Sequence, residues 1–126
     1  MGEYELEKYF VNGEDSSDVI LSIMGDCDYT YLFTENLHNR TSIVTDCNTF
    51  LSDTCERFFG LWYFADRGKK ITITGYSSAS GWTFPFQTFE ETEWQILRLK
   101  SKEMWIAADI NGSTLELRFK KIKQLK

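Results

Sequence analysis

The chain has 126 residues, of which 42% are hydrophobic, 16% aromatic and 26% charged. That length suits one domain with a real core, the balance excludes a disordered chain, and no run of about 18 apolar residues predicts a membrane-spanning helix. The net charge of −5 is uneven: residues 1–65 carry twelve acids against three bases, and residues 66–126 carry seven acids against eleven bases.

Most of the chain reads in period two, the repeat of a half-buried strand. Tyr4, Leu6 and Lys8 alternate with Glu3, Glu5 and Glu7, which predicts a first strand with one wet, acidic face. Asn12 to Ser17 is a loop by composition. Val19 to Met24 is apolar behind Ser16 and Ser17, and a capped short helix near residues 17–24 is favoured over a buried strand. Asp28 to Glu35 and Arg40 to Asp46 predict a hairpin around the polar turn Asn36 to Asn39. Residues 48–57 are irregular, with Phe50 and Leu51 as anchors.

Phe58 to Ala65 is a strongly apolar strand, and Asp66-Arg67-Gly68 turns it into Lys70 to Gly75. Trp82 to Phe89 is aromatic but carries the only proline. Proline cannot donate a ladder hydrogen bond, so this run is an edge strand or a loop. Thr92 to Leu99, Glu103 to Ile110 and Ser113 to Ile122 form a meander. Asn111-Gly112 is its sharpest turn signal, because a two-residue type I′ turn needs positive φ at both positions. About eight antiparallel strands result. They could close into an up-and-down barrel, and periodicity alone leaves a sandwich or an open curved sheet as alternatives.

Chemistry-bearing patterns are few. His38, the only histidine, falls in a polar turn, and no nucleophile elbow, zinc-binding helix or phosphate-binding loop occurs. Glu90, Glu91 and Glu93 read as solvated carboxylates ahead of a strand. Cys27, Cys47 and Cys55 lack zinc spacing, and no metal or other cofactor is expected. Arg118, Lys120 and Lys121 interleave with Leu117, Phe119 and Ile122, which suits the solvent face of a last strand; no nucleic-acid partner is expected. No signal peptide opens the chain, and Met1-Gly2 ahead of an acidic strand reads as an appended start.

Three stretches resemble the lipocalin-like domains of exported Bacteroidetes proteins. The first is Cys27-Asp28-Tyr29-Thr30-Tyr31-Leu32-Phe33-Thr34, followed after a turn by Cys47. The second is Gly60-Leu61-Trp62-Tyr63-Phe64 with Lys70-Ile71-Thr72-Ile73. The third is Trp94-Gln95-Ile96-Leu97-Arg98-Leu99 with Met104 and Ile106. The likeness runs over residues 27–119. It departs at the first strand, where Tyr4 replaces a glycine-x-tryptophan pattern, and at residues 35–39, where the expected Asp-Gly turn is missing.

The resemblance implies an all-β fold: one domain over residues 1–126, built as a single antiparallel up-and-down eight-stranded lipocalin-like β-barrel. It implies a non-enzymatic module in the periplasm, at the cell surface or secreted, with a lipid anchor ahead of residue 1. Its ligand would be small and hydrophobic, held inside by Tyr31, Phe33, Trp62, Phe64, Trp94 and Met104, with Trp82, Phe84 and Phe86 near the mouth. The wider inward set adds Ile71, Ile73, Ile96, Ile106, Leu115, Leu117 and Phe119. The alternative is a filled barrel that serves as a structural domain or docks a protein or glycan, for instance through Trp82 to Phe89.

An exported setting permits a disulfide. Cys27 with Cys47 is the pairing expected, with Cys47–Cys55 as the alternative; closing the first loop would add about 3 kcal/mol in the chain-entropy picture. Thiol titration of air-oxidised protein should find one free thiol, and three would exclude the bridge.

Overall fold

The structure is a computed structural model and describes residues 2–20, 29–35, 41–47, 58–78 and 84–124. Its strands are β1 (Gly2–Val11), β2 (Glu14–Asp15), β3 (Tyr29–Glu35), β4 (Thr41–Cys47), β5 (Phe58–Ala65), β6 (Lys70–Ser78), β7 (Thr92–Lys100), β8 (Glu103–Ile110) and β9 (Ser113–Gln124). They form one antiparallel sheet in the order β2-β1-β3-β4-β5-β6-β7-β8-β9, and β1 pairs on its other side with β9. The pairing of β4 with β5 is short, through Ile43↔Gly60 and Val44↔Phe59 alone.

Tight turns set much of this register. Asn111 and Gly112 have φ of 53° and 83°, as the expected β8–β9 turn requires. Asn12 and Gly13 adopt 51° and 83°, so the predicted loop there begins with a second turn of the same kind, and tiny β2 folds back on β1. Asp66, Arg67 and Gly68 all have positive φ and turn β5 into β6. Residues 18–20 form the described part of a helical turn where a short helix is predicted. Gly2, read from sequence as an appended start, is part of β1 and pairs with Phe33 and Gln124.

Two bulges change which residues are buried. The β1–β9 register passes from Leu6↔Phe119 to Lys8↔Arg118, leaving Glu7 as the extra residue. Strict alternation puts Lys8 on the face of Tyr4 and Leu6. The bulge moves it to the exposed side and buries Tyr9 instead. In β7 the register passes from Ile96↔Ile106 to Arg98↔Trp105, with Leu97 extra and exposed.

The core is dominated by aromatic rings. Phe119 lies 5.5 Å from Tyr31, 6.1 Å from Phe33, 6.3 Å from Tyr4 and 6.4 Å from Phe86, centroid to centroid. Most of these contacts are edge-to-face, the geometry that sets a ring's positive edge against its neighbour's negative face. Phe119→Ala should therefore lose about 3–5 kcal/mol. Urea denaturation would measure this, and a loss below about 1 kcal/mol would show that the ring is not central.

Candidate functional site

The buried face contains most of the residues expected to line a ligand chamber. Tyr31, Phe33, Trp62, Ile71, Ile73, Trp94, Met104, Ile106, Leu115, Leu117 and Phe119 are all buried. Ile96 is half-buried, and Phe64 is 42% exposed. Phe64 was expected inside, but β5 ends one residue later and turns away, leaving this ring edge-on to Trp62 at 5.3 Å. Sequence reasoning missed Tyr9, Ala108 and Ile110 as core residues.

The segment after β6 behaves differently from an edge strand or a docking patch. Phe84 and Phe86 are 4% and 1% exposed, Phe89 is half-buried, and Trp82 lies outside the described residues. Phe84 packs on Tyr9 at 5.5 Å. Phe86 reaches Tyr31 of β3, Trp94 of β7 and Phe119 of β9. Gln87 Nε2 donates to the Tyr9 hydroxyl at 3.2 Å, and Gly75 N donates to Phe89 O at 3.1 Å. The two buried phenylalanines fill space between strands and offer a partner no exposed ring.

Some buried polar atoms lie among these rings. The Tyr4 hydroxyl, Thr30 Oγ1 and Trp94 Nε1 have no hydrogen-bond partner among the described residues. Trp62 Nε1 donates to Thr34 O at 3.2 Å. Burial pushes the Tyr4 phenol up to about 12 and raises that of Tyr9 against the lowering effect of Gln87. Both shifts come from removing the charged form from water.

Two of the acidic residues around the start of β7, Glu91 and Glu93, have ordinary partners. Tyr63 donates to Glu91 Oε1 at 2.9 Å, and that bond raises the exposed Tyr63 phenol. Lys70 meets Glu93 at 3.4 Å with both side chains well exposed, an arrangement of small energetic value. No group of three or more His, Cys, Asp or Glu residues suited to a metal occurs among the described residues. Cys47 ends β4 opposite Tyr29, while Cys27, Cys55 and His38 lie outside the described residues.

The outer face of β7, β8, β9 and β1 carries a cluster that sequence reading passed over. Trp105 sits between Arg98 and Arg118 in the cross-strand register. Their guanidinium carbons lie 5.3 and 4.0 Å from its ring centroid. Arg118 also covers the Phe10 ring at 4.5 Å. Arg98 pairs with Glu103, and Arg118 Nε donates to Glu116 Oε2 at 2.6 Å. Beside this ladder, at the β1 bulge, is an open pocket of about 250 Å³ walled by Lys8, Lys102, Lys120, Arg118, Trp105 and Phe119. The missed signal was Trp105 itself, a large ring between the inward positions Met104 and Ile106.

A second hollow of about 240 Å³ lies at the other end of β9. Tyr9, Val11, Gln87, Ile110 and Leu115 line it beside the Asn111 turn.

No family model matches this chain, and no curated protein does. Among solved structures, an uncharacterized protein from Bacteroides eggerthii is similar, with a TM-score of 0.59 and 18% identity over 96% of this chain and 98% of that chain. A likeness at that identity concerns the fold alone.

The buried Tyr4 phenol has a pH consequence. Unfolded, it ionises near the ordinary value of about 10; folded, it holds its proton to about 12. The folded state binds that proton more tightly, so this contribution is whole below about pH 10 and is lost as pH rises toward 12. Tyr4→Phe should lose less stability across that window. It should also match or exceed the parent at neutral pH, since it removes an unpartnered buried hydroxyl. Urea midpoints followed from neutral to alkaline pH would test both.

Proposed function

We propose that this chain is a non-enzymatic binding module of lipocalin-like build, with a filled interior and a binding surface on its outside. The closed eight-stranded form of the sheet is part of this proposal. It is supported by the pairing of β1 with both β3 and β9. It is also supported by the contacts of Phe86 with β3, β7 and β9 together, since strands so separated in sheet order meet at one ring only if the sheet curls around it. The exported setting and lipid anchor belong to the same reading and rest on the resemblance of residues 27–119.

The observation that favours a filled interior over a ligand chamber is the packing around Phe86 and Phe119. A site for a small apolar molecule usually offers about 300–1,000 Å³. Here Tyr31, Phe33 and Trp94, which would line such a space, contact Phe86 or Phe119 instead. Rings in mutual contact leave a guest nothing to bury.

A neutral apolar fluorophore, N-phenyl-naphthylamine, separates the two readings. The native protein should show no saturable binding, and Phe86→Ala should create a site by removing the ring at the centre. One-to-one binding to the native protein, with energy transfer from tryptophan, would establish the chamber instead.

A further inference from the structure

We propose that the pocket at the β1 bulge binds a small phosphomonoester, with the phosphate among Lys8, Lys102, Lys120 and Arg118. The proposal rests on the reading that this module binds on its outside.

The pocket exists because of the bulge. Glu7 is extra in β1 between the pairs Leu6↔Phe119 and Lys8↔Arg118, and the pocket lies beside it. Bulges commonly redirect side chains in this way next to functional sites.

Positive charge is concentrated around that gap. The register sets Lys8 directly opposite Arg118, a like-charge cross-strand pair that destabilises a sheet. Lys120 has Glu5 and Glu103 as its register neighbours. Even so, among the described residues none of Lys8, Lys102 and Lys120 has an ion-pair partner. The lining holds four cations against the two carboxylates Glu7 and Glu103, a local excess of two positive charges on a chain of net −5. Adding the partners Arg98 and Glu116 leaves that excess unchanged.

The excess matches a phosphomonoester, which carries about −1.5 to −2 at pH 7. A carboxylate or sulfate ester supplies only one negative charge. Arg118 is also held in place before any ligand arrives, by Phe10, Trp105 and Glu116. Only its Nε is committed to Glu116, so other donors of its fork remain for an anion. Ligand stacking on Trp105 is disfavoured, because guanidinium groups from the strands on both sides already cover its ring. Recognition would then depend on charge, with ring stacking playing little part.

The test is a titration of the full chain with phenyl phosphate at low salt, followed by NMR of the backbone amides and the Trp105 indole. Saturable shifts should centre on residues 102, 105, 118 and 120. Phenyl sulfate should bind several-fold more weakly. The double variant Lys102→Gln/Lys120→Gln should weaken binding about tenfold, and Glu7→Gln should tighten it. Vesicles containing phosphatidic acid form a second arm: binding of both probes, lost together in the double variant, extends the site to a lipid headgroup. Unsaturable shifts scattered over all lysines, equal binding of sulfate and phosphate, or vesicle binding without phenyl phosphate binding would each overturn the proposal. The naphthylamine titration on the same sample separates the two readings. An interior probe site with intact phosphate binding defeats only the filled interior, and absence of both defeats only the phosphate site.

Discussion

Backbone hydrogen bonds between β1 and β9 join the two ends of the chain. The pairing runs from Gly2↔Gln124 to Val11↔Leu115, so it closes a loop of nearly the whole chain. Closing so long a loop carries an entropic cost that rises only slowly with length. The return is large, because the buried face of β9 then meets that of β1: Phe119 reaches Tyr4, and Leu117 lies opposite Tyr9 in the register. The same seam explains the uneven charge. The acidic face of β1 is set beside the basic last strand, with Glu3 across from Lys123 and Glu5 across from Lys120. Two blocks that look unbalanced in sequence are neighbours in space.

The seam is not uniform. At Glu7 an extra residue turns the alternation over, so the burial pattern of Tyr4 and Leu6 continues at Tyr9 and skips Lys8. One local irregularity therefore has two effects. Inside, it brings Tyr9 to Phe84 and Gln87. Outside, it gathers Lys8 with Arg118 and opens the pocket beside Trp105. The contacts of Tyr9 and the charged cluster outside share this origin.

The segment over residues 84–91 gives the interior its character. Here the chain brings in Phe84 and Phe86 from a connection, and Phe86 contacts three strands. Among the described residues the buried hydroxyl of Tyr4 and indole nitrogen of Trp94 have no hydrogen-bond partner. Such groups usually mark strain, water or function.

The sequence by itself determined the strands, because period-two alternation is local and each strand carries its own pattern. Phe58–Ala65 and Glu103–Ile110 match their expected bounds, and Asn111-Gly112 turns where positive φ demands it. The inward positions expected from β3 to β9 are buried for the same reason, Phe64 and Ile96 apart, while Ala108 and Ile110 of β8 were missed. Lys8, Tyr9, Phe84, Phe86 and the ladder through Trp105 were decided only by the tertiary structure. A bulge is a mismatch between two strands, and neither strand's own sequence shows it. An aromatic run broken by proline has no period to read, so whether it lies inside or outside depends on the space other strands leave. The charged pocket joins residues from both ends of the chain, and only the β1–β9 register makes them neighbours.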